Sequence, residues 1–256
     1  MFTDTHCHLT DERYADLDLV VNSFRQEKVS LVINNGYNIL SSKQGKDIAE
    51  KYKEVYFTVG VHPSDSFEID DNAISLLKEL STHPKCVGIG EIGLDYHWDY
   101  DKTIQKKAFE EQILLSNELK LPFQIHSRDA TEDTINTLKN YKRFLGNGFV
   151  MHCYSGSVET AKIILDLGGN ISFAGTLTFK NANNLVEVAK FVPIDRVFTE
   201  TDSPYLTPHP FRGKTNEPKM VSLVLKRLAE IKGLTEIEMA NAVRQNALKF
   251  YGKVNL

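Results

Sequence analysis

Short apolar runs rich in β-branched and aromatic residues recur along the chain, and each is followed by a stretch whose apolar positions return at helical spacing. The runs predict strands near residues 2–6, 31–35, 56–61, 86–91, 121–126, 149–153, 170–174 and 197–201. Segments such as ADLDLVVNSFRQEK, DNAISLLKELSTH, TIQKKAFEEQILLSNELK and ETAKIILDLG supply helices between them. Two more helices, about 217–232 and 235–252, follow the eighth strand. Repeated strand–helix alternation is the pattern of a parallel sheet covered by crossover helices. No Pro/Gly/Ser-rich linker, low-complexity tract or close repeat divides the chain. The expectation is an α/β fold, one (β/α)₈ TIM barrel over residues 1–256, a single domain with extra C-terminal helices.

Such a barrel carries its chemistry at the carboxyl ends of its strands. The first predicted strand ends in His6 and His8, the third in His62, the fourth in Glu91, the fifth in His126 and the sixth in His152, and the eighth runs into Glu200 and Asp202. Of the eight histidines only His83, His97 and His209 lie elsewhere, whereas chance would scatter them over helices and loops as well.

In DTHCHL the two histidines stand two residues apart, so in a strand both imidazoles face the same way and reach one ion. Asp4 shares that face, deeper in the barrel, where it can orient a histidine. Glu91, in VGIGEIGLD, ends an otherwise apolar strand, and an unpaired buried carboxylate costs several kcal/mol or takes up a proton. A metal removes that cost, and two oxygens could bridge two cations; the alternative, a salt bridge, has only Arg128 as an obvious neighbour. The GIGEIG segment spells G-x-G-x-x-G, but LDYHWDYD follows it instead of a helix, so the glycines are read as close packing. Asp129 with Glu132 reads as a capping box beyond His126. Cys153 reads as a buried thiol facing away from the site. Asp202 is the preferred ligand after the last strand. Glu200, two residues earlier, serves as its supporting carboxylate or as a barrel salt-bridge partner, and His62 as a donor to an anionic oxygen or a structural histidine. Four imidazoles and two carboxylates exceed the need of one four-coordinate zinc. They suit two divalent ions (Mg, Mn or Zn) sharing a bridging carboxylate.

Composition narrows the class. The chain is 41% apolar and 25% charged, an ordinary globular balance. No apolar stretch approaches the roughly 20 residues of a membrane helix, and the amino terminus carries no readable leader. Three widely spaced cysteines argue for a reducing compartment, and the expected location is cytoplasmic. A net charge of −4 weighs against a protein that coats nucleic acid, though not against a nuclease that engages phosphate locally. Arg212, Lys214, Lys219, Lys226, Arg227 and Lys232 do gather late in the chain, as a solvated face or a local anion surface.

The segments DTHCHL, GVHP, GEIGLD, IHSRDA, HCYSG and ETDSPYL, in this order and spacing, make the chain resemble the TatD family of metal-dependent hydrolases, within the amidohydrolase superfamily. The resemblance spans nearly the whole length, and HPFRGKTNEP resembles the family's loop after strand eight. It implies that His6 and His8 hold one metal with Asp202, that His126 and His152 hold a second, and that Glu91 bridges them where many superfamily relatives use a carboxylated lysine. It also implies a cytoplasmic deoxyribonuclease, often acting from the 3′ end, with DNA as a transient partner. On that expectation Asp202 and Glu91 are catalytic, Asp202 accepting the proton of the attacking water. His62, Arg128 and Arg212 neutralise the phosphate, and bases stack on Tyr96, Trp98, Tyr154 or Tyr205. Two alternatives stand beside it. One is an amide or ester hydrolase acting on a small cyclic amide or an aminoacyl-tRNA ester. The other is a non-enzymatic scaffold, against which the intact ligand positions argue.

Overall fold

The computed structural model describes residues 1–255. Its strands are β1 (Phe2–Cys7), β2 (Val29–Asn35), β3 (Val55–Val59), β4 (Cys86–Asp95), β5 (Phe123–Arg128), β6 (Phe149–Met151), β7 (Asn170–Phe173) and β8 (Val197–Thr199). Between and after them lie α1 (Leu17–Gln26), α2 (Ile39–Lys51), α3 (Asp71–Ser81), α4 (Lys102–Leu119), α5 (Thr131–Asn140), α6 (Val158–Asp166), α7 (Asn183–Phe191), α8 (Val221–Lys232) and α9 (Glu236–Phe250). All strand pairs are parallel and in sequential order from β1 to β8, with register pairs such as Val32↔Val55, Ile92↔Ile125 and Ile171↔Val197. The ring closes where the backbone N–H of Asp202 donates to His6 O at 2.9 Å and that of His8 to Ser203 O at 2.7 Å. Below these, Thr5 Oγ1 donates to Thr199 O at 3.1 Å. The expected TIM barrel is the observed fold.

Period-two alternation explains what each strand does. Outward residues such as Val32, Phe123, Ile125 and Phe149 join the large cluster beneath the helices. Inward residues Leu31, Ile33, Val150 and Phe198 fill the floor of the barrel, where Tyr251 and Val254, beyond α9, pack against them as a plug. Further along the same inward rows come Asn35, His152 and Glu200, so the faces that are apolar at the floor turn polar at the mouth. Helix starts are fixed locally: Asp16, Asn38, Asp70, Asp101, Ser157 and Thr235 each accept a backbone N–H of their first turn, at about 1 kcal/mol apiece.

Several boundaries differ from expectation. Strand β4 runs on to Asp95, because Gly93 adopts φ +140° and lies so close to β5 that a Cβ there would stand 2.0 Å from His126 O. Strands β6 and β8 stop early, leaving His152, Glu200 and Asp202 just past their ends. Helix α8 begins only at Val221, after a 3-10 turn opened by Pro218. The predicted capping box at Asp129 does not form. Ala130 occupies the cap position without a side-chain bond, and Asp129 takes φ +53° with its carboxylate 3.1 Å from Nδ1 of His97. Among the described residues no helix is long and apolar enough to cross a membrane.

Candidate metal centre

His6, His8, Glu91, His126, His152 and Asp202 converge at the mouth of the barrel. Around one carboxylate oxygen of Glu91, Oε2, lie Nε2 of His6 at 3.3 Å and Nε2 of His8 at 3.4 Å. Those nitrogens are 3.2 Å apart, and Asp202 Oδ1 is 3.7 Å from the first and 3.5 Å from the second. Donors held tetrahedrally about 2.0–2.1 Å from one ion stand roughly 3.3 Å from each other, so His6, His8 and Glu91 have the spacing of a coordination shell, with Asp202 beside the two nitrogens. The other oxygen, Oε1, lies 2.9 Å from His126 Nδ1 and 2.8 Å from His152 Nε2, with 3.2 Å between the nitrogens. Glu91 therefore presents one oxygen to each of two donor groups.

The outer edges of the rings decide what the inner edges offer. His8 Nδ1 faces the carbonyl of Asn35 at 3.2 Å, His126 Nε2 faces Asp95 Oδ2 at 3.0 Å, and His152 Nδ1 faces Glu200 Oε1 at 3.3 Å. Each partner only accepts, so each of these nitrogens carries the hydrogen. For His6 the partner is Gln124 Oε1 at 2.8 Å, and the Gln124 amide is oriented by donating to Thr5 O and to the Tyr251 hydroxyl. Four lone pairs and two carboxylates are thus turned into one small space. Left alone this is strongly repulsive; protons or cations must enter it, and the outer partners are of the kind that orient metal-bound histidines.

The titration shifts report the same crowding. Burial opposes charge on Glu91, but the imidazoles of His152, His6 and His62, with the bond from His126, hold its carboxyl well below the usual range. Burial likewise opposes charge on Asp202, but the bond from His8 together with the imidazoles of His152 and His6 outweighs it, so this carboxyl too is held low. Against their own desolvation, His8 is raised by Asp202 and Glu91, His126 by Asp95 and Glu91, and His152 well above its usual value by Glu91 and Glu200. His62 behaves oppositely: burial, then the neighbouring His126, pulls it down to about 3. Its Nδ1 accepts the backbone N–H of Ser64 at 3.1 Å, so the neutral ring carries its proton on Nε2, 3.8 Å from Glu91 Oε1.

The remaining sequence candidates divide. Glu200 bonds His152 and also accepts the backbone N–H of Cys153 at 2.7 Å. Asp4 reaches no imidazole; its carboxylate accepts the backbone N–H groups of His6 and Thr201 and the Thr201 hydroxyl, tying together the two segments that bear His6 and Asp202. His62 and Arg128 line the cavity above the donors, about 530 Å³ in volume. Arg212 does not: its guanidinium lies 4.0 Å over the ring of Phe179 and lines a separate surface cavity. Cys153, expected to be buried, is only partly so, and its thiol is pushed well up by desolvation and then by the charge of Asp202. Among the tyrosines, Tyr96 bonds Asp133 and lies under Lys102, and Tyr154 is buried against Thr160, so neither lines the cavity, whereas Trp98 and Tyr205 do. Asp95 and Gln124 escaped the sequence reading. Asp95 lies four residues beyond Glu91 on the same strand, and Gln124 two before His126, a polar residue in an apolar run; period two would have found both.

Comparison with known proteins finds metal-dependent hydrolases. The family model described as TatD related DNase matches residues 3–252. The uncharacterized metal-dependent hydrolase YabD of Bacillus subtilis is 43% identical over 253 residues, covering 98% of this chain and 99% of its own. The uncharacterized metal-dependent hydrolase YcfH of Escherichia coli K12 is 35% identical, covering 97% and 94%. Among solved structures, the TatD homologue YJJV of Escherichia coli K12 superposes with a TM-score of 0.89 at 28% identity over 98% of both chains. Matched along its length in sequence and fold, and with histidine and carboxylate donors gathered at the mouth of its barrel, this chain belongs to the TatD family of metal-dependent hydrolases.

Proposed function

We propose that this protein is a deoxyribonuclease that hydrolyses DNA phosphodiester bonds from a strand end, in the 3′ to 5′ direction, with two divalent ions (Mg, Mn or Zn) as cofactors, in the cytoplasm. The observation that carries the reading is the placement of the two Glu91 oxygens between two donor groups at the floor of an open cup. His6, His8 and Asp202 would hold one ion, His126 and His152 the other, and Glu91 both. Such a pair supplies a charged clamp for an in-line displacement and makes water acidic enough to attack near neutral pH.

The chain's own groups account for the rest. Asp202 is held ionised and sits at the edge of its donor group, so it can take the proton of the attacking water. His62, neutral with its hydrogen on Nε2, donates to a phosphate oxygen without adding charge to an already crowded site. Arg128 supplies a fixed positive charge at the wall of the cup. A confined cup admits a free terminus without the unpairing that an internal duplex phosphate requires. The net charge of −4 suits brief local engagement and a shallow salt dependence.

The test uses metal-loaded protein on end-labelled linear single-stranded DNA, its covalently closed circle, RNA and charged tRNA in parallel. Shortening of the linear strand faster than the circle is nicked is the expected result. Equal rates on line and circle would overturn the end-entry reading, and rapid ester hydrolysis with no DNA cleaved would move the activity to esters.

A further inference from the structure

We propose that Trp98 and Tyr205 are paired base-stacking platforms on opposite sides of the metal centre, so that a strand end is gripped by the two nucleosides flanking the scissile linkage. The proposal rests on the phosphodiesterase reading above and adds to it where recognition lies. Both rings line the cup over the donors. Trp98 stands on the loop after β4 and Tyr205 on the segment after β8. In a closed barrel of eight sequentially ordered strands those two loops face each other across the mouth.

Each ring has a guanidinium on one side: Arg13 Cζ lies 4.2 Å from the Tyr205 centroid, and Arg128 Cζ lies 5.9 Å from that of Trp98. A cation against one side of an aromatic ring does not block the rest of it; His97 also meets Trp98 edge-on at 4.9 Å between centroids, yet more than half of Trp98 stays exposed. Tyr205 is held in place before any ligand arrives. Its hydroxyl donates to Asp11 Oδ2 at 3.2 Å, while the Arg13 fork bonds both Asp11 oxygens at 2.9 Å. That arrangement neutralises Arg13, so its role here is to back the ring and not to contact phosphate. Both rings nevertheless stay open, Trp98 at 55% and Tyr205 at 45% exposure, large apolar surfaces left uncovered where a substrate must pass. A ligand that completes them has two flat aromatic groups with an anionic linkage between, which is the chemistry of a dinucleotide unit.

Trp98 is the only tryptophan of the chain, so its fluorescence reports on one platform directly. The probe is a nuclease-resistant phosphorothioate deoxyadenosine strand, added to Mg²⁺-loaded protein, together with two strands lacking the terminal or the penultimate base. The intact strand is expected to quench the tryptophan, and loss of either base to weaken binding roughly tenfold. Tyr205→Leu, checked for fold by circular dichroism, should weaken the intact strand by a similar factor and make one of the two missing bases irrelevant. If both abasic strands bind and quench like the intact one while DNA is still hydrolysed, the platforms are wrong and the nuclease reading survives. If no strand quenches and no DNA end is hydrolysed, the nuclease reading falls and takes the platforms with it.

Discussion

Asp95 Oδ2 stands 3.0 Å from Nε2 of His126, on the edge of the ring turned away from Glu91. The carboxylate fixes the hydrogen on Nε2 and leaves the Nδ1 lone pair for the centre. Asp95→Asn can satisfy the bond in only one orientation of the amide and loses the charge that favours it. The expected outcome is a roughly 10–100-fold loss of metal affinity or activity with the fold retained. Calorimetric metal titration of the variant, beside His126→Ala, measures it; an unchanged affinity would remove Asp95 from the support of the centre.

Glu91→Ala should abolish hydrolysis and deplete the bound metal while leaving the far-ultraviolet circular dichroism intact. The side chain is buried among imidazoles and not in the apolar clusters, so its removal empties the shared corner of the site without opening a hole in the core. Metal content and activity are measured on the same preparation. Near wild-type values of both would exclude Glu91 from the site.

Asp202→Asn should lower kcat by roughly 10²–10⁴-fold with little change in KM, since an amide can still approach the His6 and His8 side but cannot accept a proton. A change confined to KM would make Asp202 a substrate contact instead.

Protein stripped of metal should lose stability as pH rises above 6.5. His8, His126 and His152 have raised pKa values in the fold, so their contribution is complete below the unfolded value of 6.5 and disappears as pH climbs through the raised ones. The slope is about 1.4 kcal/mol per pH unit for each histidine still holding its proton. His62, whose folded pKa is depressed, acts with opposite sign and only below 6.5, so it does not enter this window. The depressed carboxyls of Glu91 and Asp202 contribute above their unfolded values of 4.5 and 3.8 and are lost only in acid. Thermal melts of chelator-treated protein across this range should show a falling Tm, and metal-loaded protein a much flatter profile. A flat profile for the stripped protein would contradict the assigned proton positions.

The barrel, and the polar residues expected at its mouth, are legible in local patterns of the chain. Eight apolar runs alternating with helical periodicities can bury both kinds of face only as a parallel sheet wrapped by helices, and period two places His6, His126 and His152 on inward rows at strand ends. Those are local patterns, written in neighbouring residues. Which group holds which ring follows from contacts made across the closed barrel. His6 is held by Gln124, 118 residues away, and Gln124 by Tyr251, 127 residues further on, and those partners meet only when the ring closes and α9 brings Tyr251 to its floor. The tertiary structure likewise carried β4 on to Asp95, because the bare Gly93 lets two backbones approach beside His126. It drew Arg212 away from the cup onto Phe179, an exchange between loops that no spacing along the chain records. Periodicity reports the face on which a side chain lies. The partner it meets across that face depends on closure, and closure is a property of the whole ring.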